Sequence, residues 1–286
     1  YQRSAGRYRR WENIELWADK IVASTAGQNA PGVYVGKGGG RIELAGSEVN
    51  TQGADSPGIY ASGHVLLKST AIQSTGAEGA VVEGQGSITL TDTELSGQKN
   101  NGVMLYQPNA RSTENKGKFY MAGGSLTSVD GALLYVTNTA AEITLEAVSA
   151  NAGSGMLLYA GASGWGKANQ NGGDARLHAR QQTLTGNIGC DKLSSVWIQL
   201  ESNSILTGSI NNDNQAKTAG LALDKSSIWD VAGNSYLTAF ENAEQDCGNI
   251  KDNGNTIYYD TTEPANAWLG GKTLPLQDGG KLTPKP

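Results

Sequence analysis

Gly58-Ile59-Tyr60-Ala61, His64-Val65-Leu66-Leu67 and Ala71-Ile72-Gln73 are three short apolar runs set end to end, and their recurrence decides the fold. The first run returns as Gly32-Val33-Tyr34-Val35, Gly79-Ala80-Val81-Val82, Gly102-Val103-Met104-Leu105, Gly131-Ala132-Leu133-Leu134 and Gly155-Met156-Leu157-Leu158. Intervals between successive glycines are 26, 21, 23, 29 and 24 residues. The second run returns as Arg41-Ile42-Glu43-Leu44, Ser87-Ile88-Thr89-Leu90, Lys118-Phe119-Tyr120-Met121 and Glu142-Ile143-Thr144-Leu145. The third returns as Glu48-Val49-Asn50, Glu94-Leu95-Ser96 and Ser125-Leu126-Thr127. Ile14-Glu15-Leu16 and Lys20-Ile21-Val22 extend the pattern toward the N-terminus.

Runs of three to five residues bounded by Gly, Ser, Asn or Asp read as strands joined by turns. No unit holds the 10–12 periodic residues an amphipathic helix needs, and the fixed Leu/Asn frame of leucine-rich repeats is absent. Three strands per period of about 23 residues make one rung of a solenoid, in which each rung pairs with the rungs above and below. The expected fold is therefore all-β: a single right-handed parallel β-helix with rungs of about 21–26 residues. Glycine and asparagine supply its tight corners.

Outward from the repeat, residues 1–13 are expected to form an N-terminal cap, with a short helical stretch near Tyr8 to Trp11. Residues 14–260 form the rungs, 261–275 a C-terminal cap and 276–286 an extended tail, so that 1–275 is one domain. The later rungs are looser, but Leu184-Thr185-Gly186-Asn187-Ile188 and Leu206-Thr207-Gly208-Ser209-Ile210 lie 22 residues apart, again one rung.

Composition agrees. The chain has 286 residues, 39 of them glycine, and charged residues are 17% of the total, which suits a long aliphatic interior. A net charge of −5 argues against nucleic acid as the main partner. The N-terminal cluster Arg3, Arg7, Arg9 and Arg10 reads as a solvated end. No apolar run is long enough to span a bilayer. The chain begins at Tyr1 rather than Met, as expected where an N-terminal piece has been removed. An extracellular chain would pair Cys190 with Cys247, and a cytosolic one would keep both as thiols.

The two Leu-Thr-Gly-x-Ile units, Ser226-Ser227-Ile228-Trp229, Gly233-Asn234-Ser235-Tyr236-Leu237-Thr238, Thr256-Ile257-Tyr258-Tyr259-Asp260 and Trp268-Leu269-Gly270-Gly271-Lys272 resemble the passenger regions of bacterial autotransporter adhesins and related secreted β-helix proteins. The resemblance covers roughly residues 14–275. It implies a β-helix that is secreted or displayed at a cell surface, adhesive or structural in role. It implies no reaction.

A carbohydrate-active enzyme, either a polysaccharide lyase or a glycoside hydrolase, is the alternative on this fold. A hydrolase needs carboxylates converging on one bond. The candidate pairs are Asp92 with Glu94 and Asp224 with Asp230, and solvated outward carboxylates are the plainer reading of each. His64 and His178 fall about five rungs apart by repeat counting, too far to meet. Neither zinc spacing, nor a calcium-binding Gly-Gly-x-Gly-x-Asp repeat, nor a phosphate loop is present, so no metal or cofactor is expected. Trp197 and Trp229 lie in strands, as core or exposed aromatics. Asn50, Asn138 and Asn151 are candidates for internal amide ladders.

Two long rungs carry insertions, Tyr106 to Gly117 and Gly161 to Gly173, each after the glycine-led strand. Both are expected at one corner, two rungs and roughly 10 Å apart. Insertions on one face of a solenoid often mark its binding face. Tyr106, Asn109, Arg111, Trp165, Asn169, Gln170 and Asn171 combine aromatics with amides, the chemistry of sugar stacking and hydroxyl recognition; tolerated surface loops are the alternative. The function expected is a noncatalytic extracellular β-helix, an adhesin or a surface scaffold. Its partners would be glycans or cell-surface proteins, or further copies of itself in fibres.

Overall fold

The computed structural model describes residues 14–109 and 116–286. The expected N-terminal cap, its arginines and Arg111 lie outside the described residues. The chain winds as a β-solenoid of about 11 turns, consistent with a right-handed parallel β-helix. Three faces run its length. The first, face A, starts with Glu15–Asp19 and Arg41–Ala45 and ends with Thr218–Leu223 and Ala239–Asn242. Face B begins with Val22–Thr25 and Glu48–Thr51 and continues through Thr183–Thr185 to Ile250–Lys251. Face C is the glycine-led one, from Val33–Val35 to Asn187–Cys190, then on through Ser235–Leu237 and Thr256–Tyr259. In two rungs faces A and B are one bent strand, Ser87–Gly97 and Lys116–Ser128. The bends fall at Asp92 (φ 49°) and at Gly123 and Gly124 (φ 66° and 72°), where backbone in the left-handed region turns the corner.

Alternation dictates the interior. Every second side chain of a strand points inward, and parallel pairing in register puts like positions directly over one another. On face A this builds the ladder Ile42, Val65, Ile88, Phe119, Ile143, Leu177, Ile198, Leu221, Phe240. Face C contributes Val35, Ala61, Val82, Leu105, Val136, Ala160 and Cys190. These residues are buried apart from Ile42, which is partly buried, and they form one continuous core. A buried Val, Leu, Ile or Phe contributes about 1.5–3 kcal/mol each.

The glycine-led corner explains itself sterically. A Cβ at Gly32 would stand 2.2 Å from Val49 Cγ1, and one at Gly58 would stand 2.4 Å from Ile72 Cγ2. The face B side chain of the next rung occupies that space. In later rungs the register differs from the reading of the sequence. Val103 pairs with Leu134 and Leu134 with Leu158, so the column of Gly102 continues as Leu133 and Leu157, not as Gly131 and Gly155. The compensation is on face B, where Val49, Ile72, Leu95 and Leu126 give way to Ala150 in the same column. A leucine at the corner thus fills what an alanine leaves.

Two further expectations are corrected. Residues 276–286 are more than an extended tail. Lys281–Pro284 adds to face C in parallel with Thr256–Tyr259, and Leu274–Pro275 pairs antiparallel with it. A 3-10 turn, Pro264–Leu269, lays Trp268 beside Phe240 (5.8 Å between rings) and covers the last face A strand. The bond between Cys190 and Cys247 is not formed, and both are buried free thiols. Cys190 is an inward member of the face C ladder, while Cys247 lies two to three rungs further along, roughly 12 Å at the rung spacing. A disulfide requires Cα atoms within about 7 Å.

Candidate functional site

The two insertions do meet at one corner. In register terms 31 residues separate Val103 from Leu134 and 30 separate Leu158 from Ile188, against 21–26 in the earlier rungs. The intervening rung turns tightly at Thr137-Asn138-Thr139, and residues 107–109 of the first insertion and 163–166 of the second close over it. Asn138, fully buried at φ 51°, donates from Nδ2 to the carbonyls of Gln107 (2.6 Å) and Asn109 (2.7 Å). Gly166 fits against the Asn138 amide, where a Cβ would come within 2.2 Å of Oδ1, and its N–H points to the Pro108 carbonyl. Thr137 and Ser163 join through their hydroxyls at 2.8 Å. Asn138 is therefore a loop clamp rather than part of an amide ladder. Asn50 bonds Glu48 on the outside, and Asn151 is exposed.

Trp165 stands on this corner, 43% exposed, its ring 5.0 Å from that of Tyr106. Tyr106 is buried, and it leads into a polar cluster that the sequence did not signal. Glu83 and Ser62 occupy the same column as Tyr106 in the two preceding rungs. Tyr60 donates its hydroxyl proton to Glu83 Oε2, so the 2.8 Å contact between the two tyrosine oxygens is donated by Tyr106. Ser62 Oγ adds a bond to the same carboxylate oxygen at 3.1 Å, and Lys37 Nζ lies 3.1 Å from the other. Glu83 is only 7% exposed, so it is a buried charge fully matched by donors. Burial, and then the bond to Glu83, hold the Tyr60 hydroxyl far above its ordinary pKa; burial also raises that of Tyr106. Both phenols stay protonated. The cluster is a rigid floor for Trp165.

The remaining loop residues divide. Asn109, Asn169 and Gln170 are exposed. Asn171 is 5% exposed and spends its amide on the carbonyls of Ser163 (2.6 Å) and Trp165 (2.9 Å). It holds the tryptophan in place and is withdrawn from any ligand.

The carboxylate pairs do not converge. Asp92 sits at the bend between faces A and B, and Glu94 lies past it on face B. Asp224 accepts from the N–H groups of Ser202, Ser226 and Ser227 at 2.7–2.9 Å. Burial alone would raise its pKa, but those donors outweigh burial and lower it. Asp230 accepts from Asn253 Nδ2 at 2.7 Å, in a separate brace. His64 and His178 stand on face A four rungs apart, one fewer than repeat counting gave. Trp229 is fully buried with its N–H on the Gly208 carbonyl, whereas Trp197 lies on the outside of face A. Among the described residues no three His, Cys, Asp or Glu side chains could together hold a metal ion, and no helix is long and apolar enough to cross a membrane. No protein-family model, curated protein or solved structure matches this chain.

Proposed function

We propose that this chain is a noncatalytic, adhesin-like β-helix of the extracellular space that binds glycans at the loop corner of face C. The observation that carries the reading is Trp165. Its ring rests on Tyr106 at 5.0 Å, its loop is pinned by Asn171 and by the Gly166 N–H on the Pro108 carbonyl, and nearly half its surface faces solvent. An aromatic plane held rigidly beside exposed amides suits the apolar face and the hydroxyls of a sugar ring. The resemblance to autotransporter passengers supports the extracellular setting, and the free state of Cys190 and Cys247 follows from their separation along the solenoid rather than from the compartment. Five exposed apolar side chains near the N-terminal rung (Ile14, Leu16, Trp17, Ile21 and Val22) support self-association as a second property of the same scaffold.

A glycan array probed with the labelled chain tests the reading. Binding should fall at least tenfold in Trp165→Ala, about 1.4 kcal/mol, while Tyr106 and the fold persist. Equal binding by the variant would remove the corner from the function. Release of shortened products from a bound glycan would point instead to the carbohydrate-active enzyme.

A further inference from the structure

A second aromatic surface lies on face A, away from the loop corner. Arg176, Trp197, Gly220 and Ala239 form one outward column in successive rungs. Gly220 is the key to its shape. A Cβ there would fall 2.1 Å from Cε3 and 2.4 Å from Cζ3 of Trp197, so the indole extends across the next rung into space that only glycine leaves open. With Ala239 small as well, the column sinks into a groove of about 370 Å³ with Thr218, Thr238 and Glu263 on its rim. That is the lower end of the size range for small-ligand sites.

Three polar groups around it lack a protein partner among the described residues. Trp229 and Trp268 each donate their indole N–H to a carbonyl, but Trp197 Nε1 has no partner among the described residues. The Arg176 guanidinium and the Glu263 carboxylate have none either, and Glu263 makes no side-chain cap bond to the 3-10 turn it precedes. Elsewhere on this face Lys116 pairs with Glu142 and Arg180 with Glu201. An aromatic ring flanked by free donors and a free acceptor matches a ligand with an apolar face edged by hydroxyls. The unpaired Arg176 and Glu263 charges balance, so between them they offer no net attraction to phosphates or uronates, which suits a neutral ligand.

We propose that the Trp197 groove is a second carbohydrate site, one that takes a short stretch of neutral oligosaccharide stacked on the indole. It shares no residue with the Trp165 corner and does not rest on that reading. Indole N–H NMR spectra test it, with the Trp197 signal assigned by its loss in Trp197→Phe. The probes are cellohexaose, xylohexaose, maltohexaose and chitohexaose at millimolar concentration, with a hexamer of galacturonate as the charged probe. The Trp197 signal should shift with at least one neutral probe, both in the native chain and in Trp165→Ala. Trp197→Ala, checked for an unchanged melting temperature, should weaken binding of that probe at least tenfold, and Trp197→Phe should retain part of it. The proposal is overturned if no neutral probe moves the signal, if only the galacturonate hexamer does, or if Trp197→Ala binds unchanged. A response that disappears in Trp165→Ala would overturn it too, by assigning the binding to the corner alone.

Discussion

Asp252 offers a sharp test of how the solenoid is closed. It is fully buried in the turn after Ile250–Lys251, and its Oδ1 accepts from Gly254 N–H at 2.9 Å and Gly280 N–H at 2.6 Å. Its Oδ2 accepts from Asp278 N–H at 2.7 Å. Gly254 is a local partner, so two of the three bonds tie the C-terminal segment to the preceding rung. Hydrogen bonds to a charged group contribute about 1.5–3 kcal/mol each, so Asp252→Ala should loosen Lys281–Pro284 by about 3–6 kcal/mol. That corresponds to a loss of amide protection on the order of a hundredfold or more at Leu282 and Thr283. Asp252→Asn keeps one accepting oxygen but turns an amide donor toward the Asp278 N–H, so its effect should be intermediate. Acid should act on the same lock. Burial by itself would raise the Asp252 carboxyl, but the backbone donors outweigh burial and hold it below its ordinary value. A carboxyl lowered in the folded state stabilises above the unfolded pKa of about 3.9, and that stabilisation is lost as pH falls through the lower folded value. Hydrogen exchange followed by mass spectrometry across that range should show the C-terminal strand of the native chain loosening. Asp252→Ala should already be loose at neutral pH and nearly indifferent to acid. Protection in Asp252→Ala within about threefold of native, under 1 kcal/mol, would refute the assignment of this carboxylate as the lock.

Two further outcomes are expected. Gly32→Ala should destabilise by about 1–3 kcal/mol through overpacking against Val49; in Val49→Ala the same substitution should cost clearly less, and additive effects in a denaturant cycle would contradict the shared-space account. Burial pushes the Cys190 thiol up to about 12 and the Cys247 thiol up to about 11, so neither should react with a thiol reagent at pH 8 until the chain unfolds, when both should titrate; two thiols missing after unfolding without reductant would show that they are bonded.

The rung pattern was readable because inward positions alternate, and because Ile42, Val65, Ile88, Phe119 and Ile143 each sit one place into an apolar run. What misled was treating glycine as the marker of register. At Leu133 and Leu157 the corner is filled from the other side, a trade with Ala150 visible only when two faces are assembled together. The same holds for the tail: Lys281-Leu282-Thr283 carries one apolar residue, too little to announce a strand, and the Asp252 carboxylate that bonds the turn before it lies 26 and 28 residues from the N–H groups it accepts. Of the candidate corner, the loop lengths and Trp165 were legible. The floor beneath was not, since Ser62, Glu83 and Tyr106 become neighbours only once three strand ends are aligned to the residue. Nor could spacing reveal that Asn171 faces its own loop, or that Gly220 makes room for Trp197.

The stacking of rungs also sets how the molecule would answer a pull on its ends. Among the described residues each strand of the three faces bonds to strands in the adjacent turns, and the core is shared turn by turn. Tension would therefore load one terminal rung at a time rather than the whole domain. Each rung that peels away frees some 22 residues, up to about 75 Å of chain, while the rungs behind it keep their full set of partners. Extension in such steps, followed by rewinding onto the remaining end as a template, makes the solenoid a spring that gives way in instalments and resets from what is left.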